Sequence, residues 1–139
     1  MGLISYLVIL VPICALGLEV GAVQFEPRHG VWWRVAGTMV AYFFGALWVI
    51  ALGEELFFRG VVERALLDRW SSPAMAILIS AILFGGAHLW FRRFPNWQQA
   101  LLATVLGLGC GAAYARSGSV RSSMVTHACV VTTWRMLFR

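Results

Sequence analysis

The second apolar run of this chain, Val35 to Gly53, contains no charged residue. It ends abruptly on two adjacent carboxylates, Glu54 and Glu55. A hydrocarbon core of about 30 Å is crossed by roughly 20 apolar residues in helical form, so a run of this length is a membrane span. The same test applied to the rest of the chain predicts others. One runs from Leu3 to about Val23 with Glu19 as its single charge, and one covers Pro73 to Phe91. Another covers Trp97 to Ala115, and the weakest rests on the short uncharged stretch Ser122 to Trp134, where Arg135 must snorkel to an interface. The fold expected is all-α: an integral membrane helical bundle of about five transmembrane helices, forming one domain over residues 1–139. No linker, repeat or low-complexity segment divides it.

Composition supports lipid rather than water as the solvent. Of 139 residues 60% are hydrophobic and 12% charged, about half the charged fraction of an average soluble domain. The formal charge of +5 comes from arginines alone. They are spread over every loop and form no basic stripe, which argues against nucleic acid as a partner and for phospholipid headgroups. Trp32, Trp33, Trp70, Trp90 and Trp97 fit aromatic belts at the two interfaces. Arg64, Arg69, Arg116 and Arg121 fall on one side and the loop arginines 28, 34, 92, 93, 135 and 139 on the other, a distribution that does not fix orientation. Cys14, Cys110 and Cys129 lie within apolar segments without metal-ligand spacing and read as small packed residues. The first segment lacks a basic leader and a small-residue cleavage pattern, so it is expected to stay as a helix. The second span continues as an amphipathic helix to Trp70, with Val61, Val62, Ala65, Leu66 and Trp70 toward the bundle or lipid. Ser71-Ser72-Pro73 reads as a serine cap before a first-turn proline.

Ionisable side chains at membrane depth are costly, and those that are kept face a protein interior or a water-filled cavity. Three places qualify. Glu55 and Arg59, four apart on one helix face, make an ion pair, while Glu54 lies about 100° around the helix without a partner. His88 follows Phe84-Gly85-Gly86-Ala87, small residues that let another helix approach closely. His127 lies in the last span. Each has a plainer reading: an interfacial helix start for the acids and a satisfied core residue for a histidine. Strict antiparallel succession sets the end of the third span opposite the start of the fifth, so a site shared by Glu54, His88 and His127 needs tilt or displaced depth.

The pattern Glu54-Glu55-x-x-x-Arg59, Phe84-x-x-x-His88 and a closing His127, led in by the glycine-rich Gly107 to Val120, resembles the CAAX-protease and bacteriocin-processing (Abi) family over roughly residues 40 to 135. The resemblance implies an intramembrane endopeptidase of glutamic type. Glu54 would be the base that activates water, His88 would hold that water, and His127 would stabilise the oxyanion. Glu55, Arg59 and Phe84 would support the motif. No cofactor is favoured; if a metal is bound, Glu54, His88 and His127 can ligate zinc. The expected partners are membrane lipids and a protein or peptide substrate with a hydrophobic or lipidated segment. The resemblance extends to short members that process C-terminal sorting tails, in a prokaryotic cell membrane. One departure stands out: the family's last motif carries Asn four residues after the histidine, where this chain has Val131. Thr126, Thr132 and Thr133 are the neighbouring hydroxyls that can substitute. The departure also motivates a different class of function, a non-catalytic scaffold that binds hydrophobic helices. A proton-relay transporter is a third class, disfavoured by the lack of an internal repeat.

Overall fold

The computed structural model describes residues 1–70 and 72–139. Among them the chain forms five long helices: α1 (Gly2–Glu19), α2 (Trp32–Arg69), α3 (Pro73–Ala87, extended to Trp90 by a 3₁₀ turn), α4 (Trp97–Ser117) and α5 (Val120–Leu137). Helices α1 to α4 are long and apolar enough to cross a membrane, which makes this a multi-pass membrane protein. Helix α5 is more polar because it lies at the centre, against α1, α2 and α4. Surrounded by protein, it can carry hydroxyls that bond to its own turns, as Thr132 does to the Ala128 carbonyl at 2.7 Å. Lipid is left to the outer helices, and Trp32, Trp90 and Trp97 stand exposed at helix ends.

Helix α2 continues past Gly53 as the sequence reading expected, and the continuation is one helix with the span. It runs unbroken for 38 residues, about 57 Å at 1.5 Å per residue, so Glu54 lies near its middle rather than at a membrane edge. This removes the depth conflict. Glu54 lies 15 residues before Arg69, where α2 ends, and His88 lies 15 residues after Pro73, where α3 starts, so the antiparallel return brings His88 back to the level of Glu54. The expected serine cap falls partly on Ser71, outside the described residues. Ser72 occupies the cap position in extended conformation but makes no side-chain bond to the helix, and Pro73 starts it.

Small residues set the spacing between helices. A Cβ on Gly107 would come within 2.9 Å of the Ala81 Cα, so α3 and α4 touch backbone to backbone there. The α4–α5 reversal uses Gly118 in the left-handed region, φ 64°. On the opposite membrane face the α1–α2 loop pairs with the chain end: Gln24 and Arg139 exchange backbone hydrogen bonds at 2.9 and 3.0 Å. That pairing places the loop and the C-terminus beside one another at the mouth of the cavity described next.

Candidate active site

Glu54 and Glu55 sit in an α-helical turn, Leu52–Phe57, between two wider π-helical stretches, Ala46–Ala51 and Phe58–Glu63. Wide turns of this kind are uncommon and recur at functional sites. The two acids part as the helical geometry demands. Glu55 is fully buried, whereas the Glu54 side chain keeps 34% of its surface.

Behind Glu55 lies a buried polar ladder along one face of α2. The Arg59 Nε is 3.1 Å from the Glu55 Oε2 and 3.9 Å from the Glu63 Oε2, and all three side chains have no exposed surface. Arg59 also donates to the Gly107 carbonyl of α4 at 2.9 Å, and its guanidinium lies 4.8 Å above the Phe84 ring of α3. One side chain thus ties together three helices. The pairing of Glu55 with Arg59 follows the sequence expectation, but Glu63 was missed. Its signal is the spacing Glu55-x-x-x-Arg59-x-x-x-Glu63, which continues the same face one turn further. Gly111 of α4 makes room for it, since a Cβ there would sit 2.7 Å from the Glu63 Oε2.

On the other side Glu55 reaches α5. The His127 Nδ1–H donates to the Glu55 Oε1 at 2.7 Å, and His127 Nε2 then faces the Glu54 Oε2 at 3.9 Å. That Glu54 oxygen is buried and has no hydrogen-bond partner among the described residues. His88, at the end of α3, donates Nδ1–H to the Phe84 carbonyl at 2.8 Å, which leaves the Nε2 lone pair free. Phe84 is wedged between the imidazoles, its ring centroid 4.7 Å from that of His88 and 5.9 Å from that of His127. Glu54, His88 and His127 all line one cavity of about 1090 Å³. The structure therefore brings Glu54 against His127 and sets His88 beside them across the Phe84 ring.

Val131 lines the same cavity one turn beyond His127. The expected substitutes for an Asn there are engaged elsewhere. Thr126 donates to the Gly2 carbonyl at 2.9 Å, Thr132 bonds back to its own helix, and Thr133 shares a 2.8 Å hydrogen bond with Tyr6. None of the three lines the cavity. Its outer end is lined by Arg28, Arg34, Arg92, Arg135 and Arg139, and among the described residues Glu26 is the one acid at the mouth. Glu26 pairs with Arg139 at 3.7 Å.

Among the described residues, one trio of potential metal ligands gathers its donor atoms within 4.8 Å of one another: Glu55, Cys110 and His127. It is a poor metal cage, because Glu55 and His127 already share a hydrogen bond and the Arg59 cation lies against the same carboxylate. Glu54, His88 and His127 form no such close trio.

A membrane helical bundle that keeps a free carboxylate and two imidazoles on one internal cavity has the equipment of a membrane-embedded hydrolase. The family follows from comparison: the chain belongs to the Rce1-like family, type II CAAX prenyl endopeptidases, whose model matches residues 36–133. It is thus of a family of intramembrane proteases, which work in lipid on protein substrates. No curated protein and no solved structure matches the chain.

Proposed function

We propose that this protein is a glutamic-type intramembrane endopeptidase that trims the C-terminal tail of a membrane-associated protein, a sorting tail or a lipid-anchored one, in a prokaryotic cell membrane. The observation that carries the reading is the Glu54 oxygen, buried, unpartnered and 3.9 Å from His127 Nε2 on the floor of the cavity. A water set to one side of that gap touches both groups. Glu54 takes a proton from it as the new C–O bond forms, and the carbonyl electron pair moves onto oxygen. His88 Nε2 accepts the water's other O–H and orients it. His127 donates to the oxyanion. The C–N bond then breaks, and the proton held by Glu54 passes to the leaving amine. No metal takes part in these steps.

The arginine rim supports a tail substrate. From His127 to Arg135 along α5 is about 12 Å, a length that three or four extended residues cover. A tail ending that far beyond the scissile bond presents its terminal carboxylate to the rim. A basic cluster on the tail would have to stay outside the cavity.

The test is cleavage of a hydrophobic tail peptide by purified protein in detergent, with Glu54→Gln beside it. The variant should lose about 100- to 10,000-fold in turnover while still binding the peptide, and a chelator should leave the wild type active. Val131 favours a second reading, a scaffold that binds such helices without cutting them. Tail binding without cleavage by the wild type, unchanged in Glu54→Gln, would establish that one instead.

A further inference from the structure

The carboxylate beside the candidate base has a task of its own. Glu55 is held by Arg59, which approaches its Oε2 to 3.1 Å and sends an Nη1–H to its Oε1 at 3.3 Å. A carboxylate pressed against a buried guanidinium is an anion and can only accept hydrogen bonds. The 2.7 Å contact from its Oε1 to His127 therefore places a proton on Nδ1. The bond crosses from α2 to α5 between residues 72 apart in sequence, and both partners are buried, so water does not compete for it. Glu54, the other carboxylate near His127, stands 3.9 Å from the opposite nitrogen, Nε2, and so does not compete for Nδ1. Also beside the pair are Cys110 on α4, whose Sγ turns to the Ser123 carbonyl at 3.6 Å, and Phe84 on α3. Neither offers His127 an alternative anion.

We propose that Glu55 is the positioning residue for His127: it anchors Nδ1–H and turns Nε2 toward Glu54 and the cavity. The Arg59 ladder is the support that holds Glu55 in place. This inference rests on the proposed protease site and adds the control of its imidazole. It also bears on Val131. Where no side-chain donor stands at that position, the orientation of His127 alone decides what the cavity offers to a developing oxyanion. If His127 donates there as well, both its nitrogens carry protons, and Glu55 is the counter-charge that permits this.

The variant that isolates the effect is Glu55→Gln, which keeps the shape. Arg59 would claim the single amide oxygen and the amide NH₂ would face Nδ1, forcing the ring to accept there and to carry its proton on Nε2. Nitrogen-15 NMR of histidine-labelled protein in detergent, with His127 assigned by its loss in His127→Asn, reads this directly. The wild type should show His127 protonated at Nδ1, and Glu55→Gln should show that proton gone. Kinetically, Glu55→Gln should lower kcat about 10- to 100-fold with KM nearly unchanged, the size of the loss when the carboxylate that orients a metal-bound histidine is removed.

A wild-type His127 protonated at Nε2 alone would overturn the proposal, as would an unchanged tautomer in folded Glu55→Gln. If Glu55→Gln does not fold, the wild-type spectrum still decides. The spectrum needs no substrate. Failure of the protease reading would appear separately, as a wild type that does not cleave while the Nδ1 proton is present.

Discussion

The two halves of α2 invert each other. Its first part, Trp32–Gly45, buries none of its residues and exposes Trp32, Trp33, Met39, Val40 and Phe44. Further along, the residues it buries completely include Glu55, Arg59 and Glu63, all ionisable. In water this would be an unstable arrangement. In a bilayer the solvent is hydrocarbon, so apolar side chains turned outward lose nothing, and charges are driven inward to meet each other and the neighbouring helices. The comparison teaches that the inner half of α2 is fixed by electrostatics and close packing, while the outer half is fixed by its surroundings.

The largest effect should come from the centre of the inner half. Arg59→Ala would leave Glu55 without its cation, free the Gly107 carbonyl and open a space beside Phe84. Breaking a buried pair by removing one partner costs about 3 to 5 kcal/mol. A thermal melt in detergent should show Arg59→Ala strongly destabilised or poorly expressed, while Glu54→Gln, at a partly exposed position, melts near the wild type. An unchanged melt for Arg59→Ala would mean that water reaches the ladder, and the inversion between the halves would disappear.

A smaller effect is expected where the ladder meets α4. An alanine Cβ at Gly111 would lie 2.7 Å from the Glu63 Oε2 and 3.0 Å from the Ile77 side chain. Overpacking of this kind costs about 1 to 3 kcal/mol, against which alanine's helix preference returns up to about 1. Gly111→Ala should therefore be less stable than Gly86→Ala, which gains the same helix preference without the clash, by about 1 to 3 kcal/mol. Gly86→Ala is the control, since a Cβ there meets nothing within 4 Å. Equal melts for the two variants would show that Glu63 can move aside, and that the ladder ends at Arg59.

How much of this could be read from the sequence depended on distance along the chain. Glu55 with Arg59 was legible because both sit on one helix four residues apart, and the family pattern was legible because its residue types are rare in apolar runs. Glu63 obeyed the same spacing but was absorbed into an amphipathic stretch, where an acid is ordinarily a solvated residue. The Glu55–His127 bond was not legible at all. Which of two adjacent acids faces α5 depends on the rotation of α2, and two π-helical stretches shift that rotation in ways no periodicity announces. The depth conflict between Glu54 and His88 came from ending the second span at Gly53. Counting the expected continuation, which runs to Arg69, as part of the same embedded helix makes the hairpin bring the two level. The threonines near Val131 do not reach the cavity because, on a central helix, a hydroxyl takes a partner inside the bundle: a carbonyl for Thr126 and Thr132, the Tyr6 hydroxyl for Thr133.

The smallest effect belongs to the outer half, and it tests the comparison from the other end. Val40 is 52% exposed and lies in the stretch of α2 with no buried residue. In a soluble core, removing two methyl groups leaves a cavity and a loss that grows with its volume. At Val40 hydrocarbon from lipid or detergent fills the space, and the side chain meets the same kind of surroundings whether or not α2 is docked on the bundle. Val40→Ala should thus change stability by no more than about 0.5 kcal/mol, as expected of a surface position. The measurement is the same detergent melt, at two protein concentrations. A loss above about 1 kcal/mol, well outside that surface range, would show that Val40 is packed against protein. If that loss shrank on dilution, the packing partner would be another molecule, and the outer half of α2 would be an interface rather than a lipid-facing wall.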